Sequence, residues 1–229
     1  MITIIHGTDT AASRNYFFAE KDKHEHAHLL DGEKTQLTDL MQIFEGGGLF
    51  MESKTVFMEN FFNKKKQKEE FKILSTYLEK QSAHQIFLWE NKELDKGAQL
   101  AFKKAVLRVF KLPQTLFLFL DNLMPSNSKQ LLSLFHQTIA LTDTEMVFFM
   151  LVRQIRILLS LQSSSETSID ELKRLAPWQK AKLVQQAAMF GEDRLKELHN
   201  QLFKLEIGQK TGGLASSLAV NIDFLLLEL

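Results

Sequence analysis

The stretch "IIHGTDTAASR", residues 4 to 14, sets a glycine after an apolar run and before a helix-like segment. In an α/β nucleotide-binding domain this is where phosphate is cradled. A cradle of that kind needs G-x-x-x-x-G-K-[ST], because glycines let backbone amides crowd the phosphates and the lysine offsets their charge. Gly7 is instead followed by Thr8, Asp9, Thr10, Ala11, Ala12 and Ser13, with no second glycine and no lysine. Asp9 reads as the N-cap of the following helix. Two apolar runs end in carboxylates, "QIFLWEN" at Glu90 and "TLFLFLDN" at Asp121, as does the strand that holds Mg²⁺ in an ATPase. Without a phosphate loop neither has a nucleotide to act on, and both read as element ends.

Three imidazoles alternate in "HEHAH", at His24, His26 and His28. On an extended segment they would share one side and could hold a transition metal. No fourth ligand stands nearby, so the stretch reads as a solvated junction between a helix and a strand, and no metal or other cofactor is expected. The run "NKKKQKEE", residues 63 to 70, reads as the polar start of a helix, with a phosphate-contacting patch as the alternative. No G-x-S-x-G elbow and no Ser/His/Asp arrangement occurs. The chain therefore shows no catalytic machinery.

"EGGGLFMES" carries a different kind of chemistry. Gly46, Gly47 and Gly48 precede Leu49 and Phe50, and an apolar strand begins only at Thr55. The pair could cap the sheet edge after a glycine turn. Alternatively, three glycines let the segment protrude, and adjacent residues do not share one face of a regular element. Protruding, the pair is an anchor for a partner's apolar pocket, worth roughly 1.5–3 kcal/mol for each side chain buried.

The elements that must position these residues change character along the chain. Strands are expected at residues 2–6, 27–30, 55–59, 85–90 and 106–112, each apolar with little alternation, as in a sheet covered on both faces. Between them, residues 9–23, 35–44, 65–80 and 95–104 have helical spacing. Strand and helix alternation predicts a mostly parallel sheet. After Pro113 only amphipathic helices are expected, at residues 126–138, 142–161, 168–175, 177–190, 192–209 and 213–229, with Pro177 in a first turn. The expected division is an α/β domain over residues 1–112 and an all-α domain over residues 113–229.

Bulk composition narrows the function further. Lys plus Arg and Asp plus Glu are 28 each, so no global field draws the chain onto nucleic acid. Nineteen Phe against two Tyr and two Trp favours packing over base recognition. The absence of cysteine fits a reducing compartment, and no apolar run is long enough to cross a bilayer, so a soluble, cytoplasmic protein is expected.

Taken in order, "IIHGTDTAASRNYF", "LLDGE", "MQIFEGGGLFMESKTVFMEN" and "IFLWENKELDK", then "FFMLVRQIRILLSLQ", "APWQKAKLVQQAAMFGEDRLKELHNQLFKLEIGQKTG" and the terminal "LLLEL", resemble the delta subunit of the bacterial DNA polymerase III clamp loader. Glu206 stands where that family usually has aspartate. The resemblance implies an AAA+-like (RecA-like) parallel-sheet domain without a phosphate loop, followed by a helical collar that mediates oligomerisation. It implies a protein that binds and opens the sliding clamp during DNA replication and is not itself an enzyme, but a non-catalytic subunit of the nucleotidyltransferase holoenzyme. Clamp binding would fall to Leu49 and Phe50, with Met51 adding apolar contact. The implied partners are the beta sliding clamp, the gamma/tau-type motor and delta-prime-type subunits through the collar, and DNA through the assembled complex, with no membrane. Family members also carry a small helical lid between the two domains. Here "FKKAVLRVFKLP" runs directly into "QTLFLFLDNLMPSNSKQLLSLFHQ", which implies a shortened form without the lid. The alternative is a stand-alone clamp-binding or scaffold protein of the same fold, outside any loader.

Overall fold

The computed structural model describes residues 1–46, 53–66, 68–162, 170–173 and 175–229. The chain forms two compact units, Met1–Leu112 and Pro113–Leu229.

In the first unit five strands, β1 (Ile2–Gly7), β2 (His28–Asp31), β3 (Thr55–Glu59), β4 (Gln85–Trp89) and β5 (Val106–Phe110), make one parallel sheet in the order β2-β3-β4-β1-β5. The helices are α1 (Thr10–Lys21), α2 (Leu37–Glu45), α3 (Lys68–Lys80) and the single turn α4 (Lys96–Gln99), with a 3-10 helix at Phe61–Lys66. Strand periodicity divides the core. Ile4, Val56, Met58, Ile86 and Leu88 pack with Leu40 of α2 and Leu74 and Leu78 of α3. The alternating set, Ile5, Phe57, Phe87 and Trp89, packs with Phe17 of α1. The Phe57 and Phe87 rings stack at 4.5 Å.

The expected parallel sheet is present, but coverage of both faces fails at its edges. Val106, Leu107 and Val109 of β5 are exposed, as is most of β2. An edge strand has a neighbour on one side only, so apolar content alone does not mark it as interior. The helix expected over residues 95–104 shrinks to α4. The chain leaves it at Leu100, and Phe102 then reaches the core beside Phe61 and Phe62.

The second unit holds α5 (Gln114–Asp121), α6 (Ser128–Ile139), α7 (Thr144–Gln162), α8 (Asp170–Lys173), α9 (Pro177–Phe190), α10 (Glu192–Thr211) and α11 (Leu218–Leu227). Helix α5 was not expected as a separate element. The helix expected from Gly213 begins only at Leu218, because Gly212 ends α10 in the left-handed region (φ 71°) and Ser217 caps α11 by accepting the Val220 N–H. Helix α7 buries Val147, Phe148, Leu151, Ile155, Ile157 and Leu158, residues spread around much of its circumference, as befits a central helix. Only residues 111–113 separate β5 from α5, so no lid lies between the units. Among the described residues no helix is long and apolar enough to cross a membrane.

One buried polar chain ties this helical unit together. Gln154 of α7 donates through Nε2 to Gln186 Oε1 at 2.7 Å, and Gln186 Nε2 donates to the carbonyls of Leu120 and Leu123, both at 2.8 Å. Those carbonyls lie at and just beyond the end of α5, where intrahelical donors run out. Replacing Gln186 with leucine strands two buried polar groups, the Gln154 amide and the Leu123 carbonyl, and denaturant unfolding is expected to show a loss of about 1–3 kcal/mol.

Candidate functional site

Leu49, Phe50 and Met51 lie outside the described residues. The chain that leads into and out of that segment is described on both sides.

On the incoming side α2 buries Leu40 and Phe44, four residues apart on one helical face. The Phe44 ring lies 6.2 Å from Tyr77 and 4.9 Å from His84. Tyr77 donates its hydroxyl to Glu45 at 2.8 Å, and burial together with that bond pushes its phenol up to about 12. Gly46 then closes the helix, its N–H bonded to the Gln42 carbonyl at 3.0 Å. A Cβ there would sit 2.1 Å from that carbonyl oxygen, so this position requires glycine.

On the outgoing side Ser53 donates to the Ala83 carbonyl at 3.0 Å, and Lys54 donates its N–H to His84 Nδ1 at 3.0 Å. The Lys54 carbonyl accepts from Gln85 N–H at 3.0 Å, which starts the β3–β4 ladder. The His84 carbonyl accepts from the Met1 amino group. Both flanks therefore converge on the corner between α3 and β4, with His84 in contact with each. Nothing in sequence marks His84 or Tyr77, since neither belongs to a motif and their partners lie 30 or more positions away.

The turn from β1 to α1 explains in atoms why no phosphate cradle forms. Gly7 has φ 151°, and a Cβ there would sit 1.7 Å from the Phe110 carbonyl oxygen. The amide of Asp9 donates to that same carbonyl at 3.1 Å, and the Asp9 carboxylate accepts from Ala12 N–H at 3.0 Å. Amides that a phosphate loop would turn outward are thus bonded within the fold, and a buried carboxylate stands beside them. Asp9 is the N-cap that its position predicts.

The other candidates separate. Asp121 ends α5 and pairs with Lys182 at 2.7 Å. Glu90 follows β4, is fully buried, and accepts from Phe62 N–H at 2.8 Å through Oε1, while Oε2 has no partner among the described residues. Burial pushes its carboxyl up to about 7, against the pull of the Phe62 N–H and Lys92. The ring of His24 lies 6.1 Å from Phe57 and 6.2 Å from Phe87, whereas His26 and His28 are exposed, and all three line one open surface cavity beside Lys54. No group of three potential metal ligands occurs among the described residues. Asn63, at the head of the basic run, lies in the 3-10 helix, and Glu69 and Glu70 lie in the first turn of α3.

A five-stranded parallel sheet with its helices, followed by a helical unit, defines an α/β protein with an all-α C-terminal part. In the helical part, residues 113–228 match the family described as "DNA polymerase III delta subunit, C-terminal domain". The chain belongs to the DNA polymerase III delta subunit family, and so to the clamp-loader proteins of DNA replication. No curated protein matches it. Among solved structures it is similar to the Bacillus subtilis DNA clamp loader delta protein (YqeN), at 13% identity and a TM-score of 0.43, over 99% of this chain and 94% of that one.

Proposed function

We propose that this chain binds the sliding clamp through Leu49 and Phe50, with Met51 alongside, and favours the opened ring during loading. The observation that carries the reading is the anchoring of both flanks of the glycine-led segment to one corner of the sheet domain. Opening then follows from tighter binding to one state of the ring than to the other, and such a difference shifts the populations without local ATP hydrolysis.

The helical unit acts as the collar. It exposes large apolar side chains, among them Phe149, Trp178, Met189, Phe203 and Phe224, and such exposure is what a docking surface for motor and delta-prime-type subunits would present. DNA is reached through the assembled complex. Direct passage from β5 to α5 favours one second reading, a clamp-binding protein that works outside a loader.

Titration of the full chain against its immobilised cognate clamp tests the proposal, with saturable binding expected. Absence of binding at micromolar concentrations overturns it. Co-purification with the motor subunit separates a loader component from a stand-alone clamp binder.

A further inference from the structure

His84 contacts three parts of the anchored corner. Its Nδ1 accepts the Lys54 N–H at 3.0 Å, one residue before β3 begins. Its ring lies 4.9 Å from that of Phe44, two residues before the end-cap of α2, with the planes inclined at 31°. Its carbonyl holds the Met1 amino group at the head of β1. One side chain thus touches both flanks of residues 47–52, Phe44 through its ring and Lys54 through a nitrogen that accepts only while unprotonated.

We propose that His84 is a positioning residue that fastens the outgoing flank of the clamp-binding segment, at Lys54, to this corner when neutral and releases it when protonated. This rests on the reading of that segment as the clamp anchor. The groups that face His84 are the Met1 amino group from β1, Lys54 from the approach to β3, and Glu45 and Tyr77 across the Phe44 ring.

Burial first, then the positive charges of Met1 and Lys54, hold His84 below its ordinary value of 6.5. The neutral acceptor is therefore the folded-state form. An unfolded chain takes up the proton more readily, so the bond's contribution is fully present above about pH 6.5 and is lost as pH falls through the lower folded-state value. Protonation turns Nδ1 into a donor aimed at a donor, and the Lys54 amide loses its partner.

Amide hydrogen exchange on the full chain, corrected for intrinsic rates between pH 5 and pH 8, reads this directly. Protection of the Lys54 amide is expected to fall by about three- to tenfold at the acid end, the range set by one ordinary hydrogen bond. In His84→Asn the amide oxygen can stand where Nδ1 stood and does not titrate, so protection persists and the pH dependence disappears. In His84→Leu protection is reduced at every pH. Clamp affinity should follow the same profile, level in His84→Asn and weakening towards pH 5 in the parent chain. A parent profile that is flat, or one that His84→Asn leaves unchanged, overturns the proposal. If the clamp does not bind at any pH, the exchange profile still decides the role of His84, and the clamp reading fails separately.

Discussion

Replacing Leu49 and Phe50 together with alanine is expected to weaken binding to the sliding clamp at least tenfold and to leave the fold intact. Each side chain, if seated in a partner's pocket, contributes roughly 1.5–3 kcal/mol by the area it removes from water. Two such losses would amount to a hundredfold or more if they added fully. Tenfold is the floor because neighbouring anchors share one pocket and are not independent. The fold should persist because the described residues already supply the sheet domain with buried clusters on both faces, built on Ile4, Ile5, Phe17, Leu40, Val56 and their neighbours. Thermal unfolding of the double variant should then lie within about 0.5 kcal/mol of the parent, the ordinary range for substitutions away from a core. Surface-binding titration gives the affinity. An unchanged affinity removes the anchor role, while a large loss of stability means that the pair belongs to the core.

How far sequence could lead depended on the scale of the interaction that decides each element. β3 was read at its observed bounds, because "TVFME" is apolar throughout and bounded by polar residues. The cap at Asp9 and the start at Pro177 are local chemistry, and both stand where expected. Helix α5 escaped because "QTLFLFLD" has no polar stripe. It buries Leu116, Phe119 and Leu120 but exposes Phe117 and Leu118, and only the folded unit decides which. The pairing of His84 with Lys54 spans 30 positions and that of Tyr77 with Glu45 spans 32, and no local pattern encodes them. Leu49 and Phe50 stand out in sequence for the opposite reason, since an apolar pair behind three glycines is a purely local anomaly, and they lie outside the described residues.

Glu90 is the residue whose sequence reading was most incomplete, and replacing it with glutamine is expected to have the largest effect on stability. As a strand end it seemed inert. In the fold it is fully buried, and among the described residues only one of its oxygens is bonded. Burial raises its carboxyl from 4.5 to about 7, with Glu33 adding to the rise and the Phe62 N–H and Lys92 opposing it. A raised value means that the folded chain holds its proton more tightly than the unfolded chain does. The resulting stability is complete below about pH 4.5, declines as pH rises, and is gone above about pH 7. The interval between the two values corresponds to about 3 kcal/mol at 1.36 kcal/mol per unit. Glu90→Gln retains an oxygen to accept the Phe62 N–H but never carries the charge. The difference in unfolding free energy between variant and parent should therefore shift by about 3 kcal/mol in the variant's favour between pH 4.5 and pH 7.5. Taking that difference cancels groups common to both chains, including His84, whose own contribution runs in the opposite direction with pH. Urea melts at several pH values supply the measurement. A constant difference would mean that Glu90 stays ionised throughout, so that its carboxylate is solvated in the folded protein despite its burial against Phe62.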